Sequence, residues 1–147
     1  MTLDKILEQW EQDAEIKTND LDNASLETPK LHAKYIRLLT QAKLKLKSAQ
    51  LDQKVLLRDK WLWYNGKMSQ QRMEELDWDY DPLDGLKVMK GDMNYYYDSD
   101  PDIQKSEQKI IYYKTMVETL PDIVDNIKWR HQTIRNIINW RQFVDGS

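Results

Sequence analysis

The chain has 147 residues, 32% of them charged, only four glycines and a formal net charge of -3; the length suits one domain, and the composition points to an elongated helical one with little or no sheet. There is no cysteine, which excludes disulfides and thiolate metal sites and is compatible with a reducing intracellular setting. No apolar run reaches membrane-spanning length, and the N-terminus lacks the basic and apolar regions of a signal peptide, so a soluble cytoplasmic protein is expected.

The small net charge conceals blocks. Residues 1–29 hold eight acids and two bases, residues 30–67 two acids and ten bases, and residues 73–102 ten acids and two bases. A basic element thus lies between two acidic ones. Either the blocks neutralise one another, within or between subunits, or the basic one serves a polyanion, and charge alone does not choose.

In chain order, Leu3, Ile6, Leu7, Trp10 and Ala14 recur at helical spacing and predict a first helix within residues 1–16. A polar stretch from Lys17 to Asn23 ends it. Thr28-Pro29 reads as an N-cap followed by proline at the first helical position, opening a long helix over 29–64. Leu31, Tyr35, Leu38, Leu39, Ala42, Leu46, Ala49, Leu56 and Leu57 share one stripe of that helix, which is therefore its buried face. Lys43, Lys47, Lys54 and Arg58 form a second stripe beside it. Lys60 falls on the apolar side, where its stem would pack while the ammonium reaches past the helix end into solvent. Asn65-Gly66 fits a left-handed helix terminus.

Residues 68–102 read as an acidic, loop-rich segment with a short helix around Ser69 to Leu76. Asp77, Asp79, Asp81 and Asp84 have part of the spacing of a calcium loop, but Pro82 and Val88 stand where glycine and glutamate are required, so no metal site is expected. The only histidines are His32, near a helix start, and His131. With no nucleophile and base in a defined frame, an enzyme is not expected.

From 103 to 144 the pattern becomes a heptad. Ile103, Ile110, Val117, Val124, His131 and Ile138 are spaced by seven, with Tyr113, Leu120, Ile127 and Ile134 three residues later. Met116, Ile123, Ile137 and Val144 widen the stripe, so this helix packs either against two neighbours in its own subunit or against other subunits. Pro121 should kink or break it.

The densest chemistry sits at the end of the long helix, where Arg58, Lys60 and Lys67 could neutralise phosphates and Trp61, Trp63 or Tyr64 could stack on bases. The run Lys54-Val55-Leu56-Leu57-Arg58-Asp59-Lys60-Trp61-Leu62-Trp63-Tyr64-Asn65-Gly66-Lys67 resembles the basic, aromatic, glycine-ended segment of the UvsY family, the recombination mediators of T-even-like bacteriophages. Ser25-Leu26 leading into Pro29-Lys30-Leu31-His32-Ala33-Lys34-Tyr35, and Asn139-Trp140 with Phe143, extend the resemblance, and similarity to marine cyanophage versions looks greater still.

The resemblance implies an all-α, cofactor-free protein of an infected bacterium's cytoplasm. Such a protein binds single-stranded DNA, contacts the phage recombinase and the phage single-strand-binding protein, and loads the former onto DNA covered by the latter. It also implies a homo-oligomeric ring of six or seven subunits, for which Ile103, Ile110, Val117, Leu120, Val124, Ile127, Ile134 and Ile138 would supply the contacts. The family's DNA-binding cations map onto Arg58 and Lys60, with Lys67 after the glycine and Lys54, Lys47 and Lys43 along the stripe. Trp61 stands where the family usually has leucine, which suggests packing and leaves Trp63 as the stacking ring. The competing reading is a helical adaptor whose basic stripe binds an acidic protein surface.

Overall fold

Six α-helices account for the regular structure in the computed structural model, which describes residues 1–146: α1 Leu3–Asp13, α2 Leu21–Tyr64, α3 Gln70–Leu76, α4 Met93–Ser99, α5 Pro101–Lys128 and α6 Arg130–Gly146, with no strand among the described residues. The all-α expectation holds. The residues gather into two compact units, Met1–Leu44 with Tyr113 onward, and Lys45–Tyr112; α2 and α5 each contribute to both.

Pro29, expected to open a helix, and Pro121, expected to kink or break one, both lie inside helices. α2 begins at Leu21 and runs through Pro29, because Ala24 is buried and the Thr28 hydroxyl donates to the Ala24 carbonyl at 3.1 Å. Ser25 and Pro29 are exposed, so the carbonyl left without an N–H partner lies where water can reach it. α5 likewise continues through Pro121. An internal proline costs about 3 kcal/mol, whereas each of Leu120, Ile123, Val124 and Ile127, all buried, contributes about 1.5–3 kcal/mol on burial. The interruption comes instead at Trp129, between α5 and α6.

In the first unit, Ile6 of α1 and Tyr35, Leu39 and Ala42 of α2 close on Met116, Leu120, Ile123, Val124 and Ile127 of α5. Asp13, at the end of α1, accepts from Lys34 Nζ at 2.6 Å and from the Tyr35 hydroxyl at 2.9 Å. Burial pushes its carboxyl up, but the hydrogen bonds from Lys34, Tyr35 and Gln9 outweigh this and hold the pKa below the ordinary value. Arg130 is buried and caps α1: its guanidinium donates to the carbonyls of Asp13, Ala14 and Glu15 at 3.2, 3.4 and 3.2 Å. In the second unit, Ala49, Met68, Met73 and Ile103 are buried.

This packing corrects the reading of the heptad. Ile103, Leu120, Val124, Ile127 and Ile134 are buried, and Ile110 and Val117 are half-buried, within the single chain. The seam is consumed by the chain's own helices, so it offers little surface to another copy. The break at Trp129 takes His131 and Ile138 off the seam, and both are exposed.

Leu120 has no exposed surface, whereas Leu26 is mostly exposed. Leu120→Ala is therefore expected to lower unfolding stability in urea by about 2–5 kcal/mol, and Leu26→Ala by no more than about 0.5 kcal/mol.

Candidate nucleic-acid interface

The end of α2 is fixed by a capped turn. Gly66 adopts φ 68°, where a side chain would be strained. The Gly66 N–H donates to the Trp63 carbonyl at 3.2 Å and the Lys67 N–H to the Leu62 carbonyl at 2.8 Å, closing the orphan carbonyls of the last turn.

Helical rotation then separates the clustered side chains by environment. Trp61 is 41% exposed, with Lys67 Nζ 4.8 Å from its ring centroid, so indole and ammonium form one solvent-facing pair. Arg58, one turn earlier, has a side chain 68% exposed and pairs with Asp59 at 3.5 Å. Asp59 is itself buried and paired with Arg72 at 3.1 Å. Lys47 and Lys54 continue the exposed row and, with Lys67, have no carboxylate within ion-pair distance among the described residues. Lys43 is exposed as well, on the part of α2 that belongs to the first unit. Leu51 and Val55 are half exposed on the same stretch.

Two expectations are reversed. Lys60 does not reach solvent: its side chain is 3% exposed and its ammonium lies 3.1 Å from Asp100 and 2.7 Å from Asp102. It also sits 4.0 Å from the Trp78 ring centroid and 4.4 Å from that of Trp63. The physical reason is the wheel position: the apolar side of α2 faces the start of α5, and that start carries two carboxylates. Trp63 is correspondingly half-buried. Its N–H donates to the Asp79 carbonyl at 2.7 Å, and its ring packs on Tyr64 and Trp78 with centroids 4.9 and 5.1 Å apart. Trp61, expected to pack, is the available ring.

Asp100 anchors this arrangement. One carboxylate oxygen caps α5, accepting from the Asp102 and Ile103 N–H groups at 2.9 and 3.0 Å. The other accepts from the Tyr64 hydroxyl at 2.5 Å and from Lys60. Burial pushes the Asp100 carboxyl up, but the bonds from Tyr64, the Ile103 N–H and Lys60 prevail and hold its pKa below the ordinary aspartate value. Burial, together with Asp100 and then Asp102, pushes the Tyr64 hydroxyl well above its ordinary value. Sequence reasoning missed Asp100 and Trp78, although Asp100-Pro101 carries the N-cap and first-position proline signature already used at Thr28-Pro29.

Among the described residues no group of three or more His, Cys, Asp or Glu could hold a metal ion, and no helix is long and apolar enough to cross a membrane. What the fold and this face define is an all-α protein whose long helix carries an exposed row of cations ending in an indole. The chain belongs to the UvsY family, described as recombination, repair and single-stranded-DNA-binding proteins, whose model matches residues 9–147. Its fold is that of the bacteriophage T4 recombination mediator protein UvsY. One crystal form of that protein matches with a TM-score of 0.80 at 21% identity over 99% of this chain and 98% of the other. A second gives 0.80 at 20% identity over 97% and 99%, and a third 0.78 at 21% over 95% and 98%. No curated protein matches the sequence.

Because the folded-state pKa of Asp100 is depressed, its stabilisation is fully present above the ordinary aspartate value of about 3.9. It is lost as pH falls through the lower folded value. Thermal unfolding followed against pH should show wild type losing more stability on acidification than Asp100→Asn does. At neutral pH the variant should already be destabilised by about 3 kcal/mol.

Proposed function

We propose that this protein is a single-stranded-DNA-binding recombination mediator that helps load a phage recombinase onto DNA covered by single-strand-binding protein. The observation that carries the reading is the exposed row Lys47, Lys54, Arg58 and Lys67 ending on the exposed Trp61. Phosphates would be neutralised along the row, giving salt-sensitive affinity without sequence preference, while a base stacks on Trp61.

A few cations hold a strand weakly, and several copies at high effective concentration hold it tightly. The surface suited to joining copies is α6, where Ile138, Trp140 and Phe143 are exposed and Trp140 stacks on Phe143 with centroids 5.8 Å apart. In this proposal the copies join through the last helix rather than through the buried heptad seam. In such an oligomer the repeated α2 faces would hold the strand for handover to the recombinase. Leu51 and Val55 beside the cations also suit a second reading, in which an acidic amphipathic protein helix covers this face.

Titration of oligothymidylate at several salt concentrations separates the readings. Trp61→Ala is expected to weaken binding by about 1–3 kcal/mol, with the DNA-induced change in tryptophan fluorescence reduced; affinity indifferent to salt and to Trp61 would favour the adaptor. In light scattering, Trp140→Asp with Phe143→Asp should yield a smaller species than wild type, its helical circular dichroism retained.

A further inference from the structure

Arg58 and Lys60 stand two residues apart in the segment that carries the family likeness, yet their surroundings are opposite. Arg58 projects a largely exposed guanidinium that keeps one long contact to Asp59. Lys60 is enclosed by two carboxylates and two indole faces. For Lys60 to meet a phosphate, its ammonium would have to abandon a buried carboxylate, leaving Asp100 charged and short of a partner. An exposed phosphate contact returns less than that loss.

We infer that Lys60 is a positioning residue of the strand-binding face, not a strand contact. It ties the last turns of α2 to the start of α5 through Asp100 and Asp102, and to the segment after α3 through Trp78. The neighbouring Tyr64 hydroxyl grips the same Asp100, and the Tyr97 hydroxyl donates to the Leu57 carbonyl at 3.0 Å. The last turns of α2 are therefore fixed from their inner side. That anchoring sets the direction in which Trp61 leaves the helix and the course of the Gly66 turn that returns Lys67 over the indole. Lys60 thus acts on the strand only through Trp61 and Lys67. The inference rests on the reading of this face as a single-strand site.

The test uses the full-length protein, oligothymidylate and a salt series. Lys60→Met keeps a long apolar stem and removes the charge. Its affinity should fall about tenfold at every salt concentration, with the slope of log affinity on log salt unchanged. Arg58→Met should make that slope shallower by about 0.7 for each subunit engaged. A Lys60→Met slope as shallow as that of Arg58→Met would make Lys60 a contact and overturn the inference. Unchanged affinity in folded Lys60→Met would make it merely structural, which also overturns it.

Should Lys60→Met fail to fold, the double variant with Asp100→Asn removes both buried charges and is read in the same way. Acetylation of wild-type lysines, followed by mass spectrometry, needs no variant. Lys60 should stay unmodified with and without oligothymidylate, and Lys67 should be modified when free and protected when bound. Lys60 reactive in the free protein and protected by the strand would contradict the inference. Failure of wild type to bind oligothymidylate at all would remove the strand reading itself, whereas a contrary Lys60 result with binding intact removes only this step.

Discussion

The Asp100 carboxylate is the constraint on which the second unit depends. Both of its oxygens are buried, and each is committed: one to the first N–H groups of α5, the other to Lys60 and Tyr64 of α2. A buried carboxylate is tolerable only when its hydrogen-bonding capacity is filled in this way. Here filling it joins the end of one long helix to the beginning of another. The indole rings of Trp63 and Trp78 complete the enclosure by covering the ammonium that faces the carboxylate.

That single commitment explains how the charge blocks are used. The acidic segment does not blanket the basic helix. It supplies Asp100 and Asp102 to the buried Lys60 of α2, and Asp59 is taken up by Arg72. The outer cations therefore keep their charge exposed. Buried charge pairing and an exposed row of cations, alternatives when charge alone is considered, occupy different sides of the same helix.

Much of the fold was legible in the sequence because it rests on periodicity and on end signals. The C-terminus of α2 at Tyr64, the left-handed Gly66 and the Ser69-led α3 follow from local residue chemistry. Tertiary burial outweighed a local penalty at the prolines: Leu120 and Val124 carry α5 through Pro121 without a break. The heptad was visible, but not its partner, since a buried seam looks the same whether the facing helix belongs to the same chain or another. At the site, the wheel located the exposed row correctly. It could not show that carboxylates 40 and 42 residues further along the chain would meet Lys60, and this long-range pairing exchanges the roles expected of Trp61 and Trp63.

The central claim is that the outer face of α2, with Trp61 at its end, meets the strand while the inner aromatic cluster does not. Photo-crosslinking of an oligonucleotide carrying 5-iododeoxyuridine, with the modified residue located by mass spectrometry, tests it most directly. The account predicts adducts at Trp61. Adducts confined to Trp63 or Trp78, both half-buried in the inner cluster around Lys60, would contradict it.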